Sequence, residues 1–190
     1  MPVNELLLRA GTTGHGPFSV DVTPERAGWA WSGLKVLELA PGASHELATG
    51  DDEVLVLPLA GGCVVEVVEA PDGGTAARFG LHGRPDVFTA VTDFLYLPRR
   101  TTAVLTAPDG ARLALPTARA TRDLPVSYQG ADAVRTELRG AGAASRQGTN
   151  YALGNAVRTD HLLVCEVLTP AGNWSSYPPH KHDEHTGDER

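Results

Sequence analysis

Three of the seven histidines, His180, His182 and His185, lie within the last eleven residues of the sequence. Side chains two residues apart point to the same face of a β-strand, so His180 and His182 can bind one metal ion together. Imidazole suits zinc, iron, nickel and copper, although a catalytic zinc ion usually has three protein ligands and an open position. The pair therefore predicts part of a metal site. Solvated histidines in an acidic tail are the alternative interpretation.

The elements that must position these histidines are expected to be short β-strands. The 21 glycines and 14 prolines favour strands joined by turns over long helices. Alternation puts Cys63, Val65 and Val67 on one face of a strand, and Leu113 and Leu115 on one face of another. The fold class predicted is all-β, a barrel or sandwich of ten or more strands. The apolar runs that carry this prediction are residues 34–39, 53–60, 63–69, 94–97, 102–107, 111–115, 133–138 and 161–169.

Turn signals separate these runs. Pro108-Asp109-Gly110 lies between two apolar runs and predicts a hairpin, and Gly61-Gly62 predicts a turn. Residues 131–138 fit a short helix and a strand equally well.

Composition and charge exclude several classes of protein. With 16 basic and 23 acidic residues the net charge is -7, so the basic surface of a nucleic-acid-binding protein is absent. No apolar stretch reaches the length needed to span a bilayer, and the N-terminal residues do not fit a signal peptide. Two cysteines, Cys63 and Cys165, do not make a disulfide framework. We expect a reduced, cytoplasmic protein without a nucleic-acid or membrane partner.

Four segments of the chain resemble one family. The string GNWSSYPPHKHDE at residues 172–184 closely resembles the signature of the 5-deoxy-glucuronate isomerase (IolB) family of inositol catabolism, and WSSYPPHKHD is its most specific part. Residues 138–150 (LRGAGAASRQGTN), 83–98 (GRPDVFTAVTDFLYLP) and 160–170 (DHLLVCEVLTP) resemble further segments of that family. The resemblance covers nearly the whole chain.

This resemblance implies a cupin fold of the bicupin type, with two β-barrel halves in one chain. It implies a metal-dependent aldose–ketose isomerase that converts the uronate 5-deoxy-glucuronate to 5-dehydro-2-deoxy-gluconate. His180 and His182 match the first two ligands of a divalent metal, zinc being expected and manganese or iron being alternatives. Arg146 is the candidate for holding the substrate carboxylate, with Trp174 and Tyr177 as further substrate-binding candidates. The residues that move the proton are not assigned, and a homo-oligomer is left open.

The division expected from the resemblance is a degenerate N-terminal cupin half at residues 1–135, followed by a linker and the start of the metal-bearing half at residues 136–190. Gly42, His45, Glu53 and Gly61 approximate a first cupin motif with one histidine instead of two. The remaining metal ligands are expected beyond residue 190, in a chain that is truncated at its C-terminus. A long surface loop at residues 119–148 of a single domain is the alternative.

Two other functions stay open. One is the related isomerase of the pectin pathway, which acts on a keto-deoxy-uronate. The other is a non-catalytic cupin module that binds sugars or assembles with other chains. In each case residues 161–169 are expected to pair with the N-terminal barrel or to lie at an oligomer interface, since an open strand edge is unfavourable.

Overall fold

The computed structural model describes residues 7–71, 76–153 and 157–180. These ranges hold twelve β-strands, a short α-helix α1 (Pro24–Ala27) and two 3-10 turns (Ala131–Ala133 and Gly142–Ala144). None of the described helices is long and apolar enough to cross a membrane. The strands are β1 (Phe18–Val22), β2 (Ser32–Leu39), β3 (Ala43–Ala48), β4 (Asp52–Glu69), β5 (Ala77–Arg84), β6 (Phe94–Leu97), β7 (Thr102–Ala107), β8 (Ala111–Arg119), β9 (Ser127–Gln129), β10 (Arg135–Arg139), β11 (Arg146–Ala152) and β12 (Val164–Leu168).

Strand β4 is the central element because it takes part in both layers of a nine-stranded sheet. Its first half pairs with β6 and β8, and its second half pairs with β5 and β7. In the first layer, β2 and then β1 follow on the outer side of β8, and β9 follows on the outer side of β6. In the second layer, β3 pairs with β7. Two layers that share one long strand therefore enclose the apolar interior of a barrel.

The Gly61-Gly62 pair does not end a strand, so the turn predicted there is wrong. Gly61 has a φ of +71°, which glycine adopts without strain, and it pairs with both Arg84 and Ala111. A Cβ atom at Gly61 would lie 2.3 Å from the carbonyl oxygen of Gly110. The glycines therefore let one continuous strand bend from the first layer into the second.

The hairpin predicted at Pro108-Asp109-Gly110 is also wrong. Strand β7 runs antiparallel to residues 64–69 of β4, and β8 then runs antiparallel to residues 52–61 of the same strand. In the described part of the chain, no pairing joins β7 to β8. The turn takes the chain from one layer to the other without reversing its direction. A local sequence signal does not distinguish such a turn from the turn of a hairpin.

The barrel interior is filled by aliphatic side chains from both layers. Cys63, Val65 and Val67 of β4 and Leu113 and Leu115 of β8 belong to it, so the faces predicted from alternation are confirmed. Burial raises the pKa of the Cys63 thiol to about 12, which makes this cysteine a packing residue.

A second apolar cluster lies on the outer face of the first layer. Val54 and Val56 of β4 point into the barrel, whereas Leu55 and Leu57 point outward. Because both faces are buried, residues 53–60 form a nearly continuous apolar run in the sequence. The outward cluster contains Leu55, Leu57, Phe94, Tyr96, Ala114, Ala118, Leu124, Tyr151, Ala152, Leu162 and Val164. Its last four members come from the C-terminal part of the chain, which therefore covers the barrel.

A three-stranded antiparallel sheet in the order β10-β11-β12 supplies this cover. The 3-10 turn at Ala131–Ala133 leads directly into β10, so residues 131–138 contain both structures that the sequence left open. Strand β12 forms its hydrogen bonds with β11, and it meets the barrel by packing. Of residues 161–169, Val164–Leu168 form the strand, and this strand pairs with β11 of the small sheet and not with a barrel edge.

A buried carboxylate fixes the C-terminal segment on the barrel. Glu53 is fully buried and accepts hydrogen bonds from the Tyr96 hydroxyl (2.7 Å) and from the backbone N–H groups of Asp160 (2.8 Å), His161 (2.6 Å) and Leu162 (2.6 Å). Placing Glu53 in a cupin motif was wrong, because its carboxylate lies on the outer face with these partners. His45, the histidine of that motif, packs edge-on against Phe18 with ring centroids 5.1 Å apart.

Two further polar contacts join the same parts. The Asp160 carboxylate accepts hydrogen bonds from the backbone N–H groups of Thr121 (2.6 Å) and Arg122 (3.0 Å), and it pairs with the Arg122 guanidinium. The buried Arg84 guanidinium donates to both carboxylate oxygens of Glu166, at 3.0 and 2.6 Å. The small sheet is therefore held at three carboxylates as well as by apolar packing.

Glu53→Gln is expected to lower the free energy of unfolding by about 2–4 kcal/mol, because an amide N–H₂ would face backbone N–H donors that it cannot bind. The urea midpoint followed by tryptophan fluorescence measures the loss. Glu46→Gln is the matched control, since Glu46 is exposed, and it should change stability by less than about 0.5 kcal/mol. Equal effects of the two substitutions would contradict the anchoring role of Glu53.

Asp160 is expected to make stability depend on pH. Burial alone would raise the pKa of this carboxyl, but the hydrogen bonds from Thr121 and Arg122 outweigh it and hold the pKa well below its usual range. The unfolded state therefore takes up the proton first as pH falls, and the stabilisation present above about pH 4 is lost on acidification. Asp160→Asn should destabilise the protein at pH 7 and differ less from the wild type near pH 3.

Urea midpoints across this pH range measure the effect, with Asp109→Asn as an exposed control in a turn. A constant difference between wild type and Asp160→Asn at every pH would show that the Asp160 carboxylate is not the titrating group.

Candidate functional site

The small sheet has one side packed on the barrel and one side turned away from it. Residues paired directly across strands point to the same side, so the register separates the two sets of side chains. Thr149, Tyr151, Val164 and Glu166 lie on the side that faces the barrel. We call the other side the open face. Its residues are Arg135, Glu137, Arg139, Arg146, Gly148, Asn150, Cys165 and Val167.

The open face carries a net positive charge. Glu137 pairs with Arg135 at 3.0 Å and with Arg139 at 2.8 Å, and the hydrogen bond from Arg139 lowers the pKa of the Glu137 carboxyl. Arg146 donates to the carbonyl oxygen of Ala144 at 3.1 Å, and within the described ranges no carboxylate forms an ion pair with it. Three guanidinium groups against one carboxylate make this face attractive to an anion.

A cleft of about 350 Å³ lies over the open face. Ser175 and Ser176 form one wall, and the residues just before them are attached to the turn that precedes Arg146. The Asn173 side-chain amide donates to the carbonyl oxygen of Ser145 (2.8 Å), and the Trp174 backbone N–H donates to that of Ala143 (2.7 Å). The cleft is lined by Arg139, Arg146, Gly148, Asn150, Leu153, Cys165, Val167, Ser175 and Ser176.

His180 lies beside this wall. Its Nδ1 atom donates to the carbonyl oxygen of Pro178 at 2.9 Å and lies 3.5 Å from the Ser176 hydroxyl. Because a carbonyl oxygen only accepts, this contact requires a proton on Nδ1, and a metal ion would then bind His180 through Nε2. His182, the second predicted ligand, lies outside the described residues.

The described residues hold one of the predicted metal ligands and do not complete a metal site. Among residues 7–71, 76–153 and 157–180, no three side chains of His, Cys, Asp or Glu lie close enough to bind one ion. The tautomer of His180 is compatible with a metal ligand, but one imidazole is not a site.

Trp174 and Tyr177 lie beside the cleft without lining it. Their rings contact each other with centroids 6.3 Å apart, and their exposed fractions are 52% and 65%. Ser175 and Ser176, which lie between them in sequence, line the cleft instead. The structure thus brings Arg146 and the neighbourhood of His180 to one cleft, and it leaves the two predicted aromatic residues on its rim.

Sequence reasoning did not identify Gly148, Asn150 and Cys165 as residues of a cleft. A usable signal was present in the alternation of residues 135, 137 and 139 and of residues 146, 148 and 150. A larger groove, of about 670 Å³, lies at the end of the small sheet, and Arg139 and Arg146 line it as well as the cleft, together with Phe88, Leu138 and Leu168. We assign the site to the smaller cleft because Ser176 in its wall lies 3.5 Å from Nδ1 of His180.

The barrel and its second sheet define a protein of the cupin class, as the all-β prediction expected. Residues 6–190 match the KduI/IolB family, and the chain belongs to that family. A 5-deoxy-glucuronate isomerase of Geobacillus thermodenitrificans is 36% identical over 167 residues, which cover 87% of this chain and 58% of the relative. One of Halalkalibacterium halodurans is 32% identical and covers 86% and 58%.

A solved structure shows the same fold. The crystal structure of an IolB-like protein from Salmonella typhimurium LT2 superposes with a TM-score of 0.80 at 31% identity, over 93% of this chain and 65% of that chain. The family and the cupin fold inferred from the sequence are therefore confirmed. The chain spans less than two thirds of the length of each of these relatives.

The two cysteines should differ in reactivity, because Cys63 lies in the barrel interior and Cys165 lines the cleft. Cys165 is exposed and Cys63 is buried with a raised pKa, so a water-soluble disulfide reagent should label one thiol per native chain at pH 7.5. Cys165→Ser should remove this rapid reaction, and unfolding in urea should expose Cys63. Rapid labelling of two thiols in the native protein would contradict the burial of Cys63.

Proposed function

We propose that the chain carries part of the active site of a 5-deoxy-glucuronate isomerase, an aldose–ketose isomerase of inositol degradation. The main supporting observation is that Arg146 and His180 adjoin a single cleft on a positively charged face. The names of the Geobacillus and Halalkalibacterium relatives agree with this activity. A negatively charged uronate is the kind of small molecule that this face favours.

The reaction moves one proton between neighbouring carbons and leaves the carboxylate unchanged. The proton on the carbon beside the aldehyde is removed, and a proton is added to the aldehyde carbon. The hydroxyl on the first of these carbons gives up its O–H proton and becomes the ketone, while the aldehyde oxygen takes up a proton and becomes the new hydroxyl. The carboxylate at the other end serves for binding. Arg146 can hold it with two parallel N–H donors, a geometry that fixes the direction of the substrate in the cleft.

His180 and His182 are proposed as two ligands of a divalent metal ion, with zinc as the expected ion and manganese or iron as alternatives. The spacing of the two residues and the Nδ1–H tautomer of His180 support this assignment. A bound ion would act as a Lewis acid toward the substrate oxygens at the reacting carbons. His180 and Arg146 would then bind opposite ends of the same substrate.

The proposal keeps the division of the chain made from the sequence. Residues 1–135 would form the first cupin half, without a complete metal motif, and residues 136–190 would belong to the metal-bearing half. The change from the large sheet to the small sheet between β9 and β10 supports this division. A cytoplasmic location and a homo-oligomer stay predictions.

Arg146→Lys tests the proposed function through the split between KM and kcat. Lysine keeps the charge but loses the two-donor geometry, so KM for 5-deoxy-glucuronate should rise by about tenfold or more with a smaller change in kcat. Formation of the ketose is the measured signal. Arg158→Lys is the matched control, since Arg158 is exposed outside the cleft, and it should leave both constants unchanged.

Turnover of a keto-deoxy-uronate without turnover of 5-deoxy-glucuronate would contradict the proposal in favour of the pectin-pathway reaction. Reaction in D₂O distinguishes the two chemical routes. Deuterium at the new C–H position indicates proton transfer, and complete retention of the substrate hydrogen indicates a hydride shift. Loss of bound metal in His180→Ala, measured by elemental analysis, tests the proposed ligand.

A further inference from the structure

Strand β10 has one neighbour and one free edge in the described part of the chain. It pairs with β11 over all five residues without a register shift. Within the same ranges, no backbone hydrogen bond joins Arg135–Arg139 to any other element. In an antiparallel pair, alternate backbone N–H and C=O groups point away from the neighbouring strand. The outer edge of β10 therefore presents donors and acceptors to which another strand can bind.

The edge strand β1 of the large sheet is, in contrast, protected against such pairing. Its register with β2 shifts between Phe18 and Val20, and His15 exchanges backbone hydrogen bonds with Phe18. The Arg26 guanidinium also donates to the carbonyl oxygen of Asp21 at 3.4 Å. A bulge and groups that cover the backbone keep an edge from pairing with another chain. Among the residues that the structure describes, β10 has neither protection.

The side chains of β10 leave its free edge accessible. Four of its five residues are exposed, and Leu138 is 85% exposed although it is large and apolar. Thr136 and Leu138 pair with Thr149 and Gln147, so they point to the side on which the barrel lies. Because they are nevertheless exposed, β10 extends beyond the barrel and a further strand has space beside it. Such a strand would also cover Leu138.

The charges of β10 are self-complementary in an antiparallel pair. Arg135, Glu137 and Arg139 alternate in sign along the open face. A two-fold axis at Glu137 would place glutamate opposite glutamate and arginine opposite arginine, which is destabilising. An axis one residue away, at Thr136 or at Leu138, instead places each glutamate opposite an arginine of the other copy. The pattern thus favours a second copy of this chain as the partner.

The backbone selects the axis at Thr136. Before β10, Val134 is extended, with φ −83° and ψ 123°, so pairing can run from Val134 to Leu138. After β10, Gly140 has a φ of +79° and turns the chain out of the strand direction. An axis at Leu138 would therefore leave fewer residues paired. With the axis at Thr136, threonine lies opposite threonine and Leu138 lies opposite the partner's Val134, and both kinds of pair are favourable.

We propose that the free edge of β10 binds the same edge of a second copy of this chain, antiparallel and with the two-fold axis at Thr136. The two small sheets then form one sheet of six strands through an isologous interface. Arg135 faces the partner's Glu137, and Leu138 packs against the partner's Val134. Residues directly opposite each other point to the same side, so the two open faces become continuous. This interface is independent of the proposed function.

Two charge-reversal variants test the pairing, because each alone opposes like charges and their mixture does not. At the paired positions, Arg135→Glu leaves only acidic side chains and Glu137→Arg leaves only basic ones. Sedimentation velocity on the 190-residue chain should show a monomer–dimer equilibrium for the wild type between about 5 and 500 µM. Each variant alone should dimerise at least about tenfold more weakly, and an equimolar mixture should recover the dimer.

Arg158→Glu is the matched control, since Arg158 is exposed outside β10 and the change in net charge is the same. It should dimerise as the wild type does. Leu138→Ser tests the apolar contact, and it should weaken dimerisation by about three- to tenfold. Its urea midpoint should stay unchanged, because Leu138 is already exposed in the single chain. If Glu137→Arg does not fold, Arg135→Glu and Leu138→Ser decide the test.

Three results would overturn the interface. The first is a wild-type chain that stays monomeric over the whole concentration range. The second is a dimer that Arg135→Glu and Leu138→Ser leave unchanged, and the third is a mixture of the two charge variants that does not recover the dimer. Weakening by Arg139→Glu without weakening by Arg135→Glu would overturn the register, because it would place the axis at Leu138.

Discussion

The buried carboxylate of Glu53 is the interaction on which the arrangement of the two sheets depends. Glu53 is the second residue of the central strand β4, and its carboxylate binds three successive backbone N–H groups in the segment just before β12. A charge in the apolar contact between two sheets is tolerated only when it is fully hydrogen-bonded. Glu53 therefore specifies where residues 160–162 lie, and the packing of Leu162 and Val164 follows from that placement.

The cleft takes its shape from the buried side of the same small sheet. Successive residues of β11 alternate between the barrel and the open face, so Thr149 and Tyr151 fix the positions of Gly148 and Asn150. The Arg84–Glu166 pair acts in the same way on β12, whose neighbouring residues Cys165 and Val167 line the cleft. Polar groups held on paired strands are more accurately placed than groups on loops.

The sequence predicted the features that depend on local patterns. Residues 94–97 and 102–107 form strands with the predicted bounds, because turn residues flank apolar runs of strand length. Features that depend on distant partners were missed. The backbone donors to Glu53 lie more than 100 residues away, so a glutamate before an apolar run resembled a cupin motif. Gly148 and Asn150 become recognisable as cleft residues only when the pairing of β11 with β10 and β12 is known.

The shared strand β4 has a consequence for how the molecule opens. Because its backbone hydrogen bonds belong to both layers, neither layer can separate from the other without breaking the same strand, and the barrel must unfold as one cooperative unit. Among the described strands, the small sheet shares none with the barrel, and it is attached through apolar side chains and three carboxylates. Hydrogen exchange should therefore show two units with different protection. The small sheet, which carries the cleft, should open before the barrel.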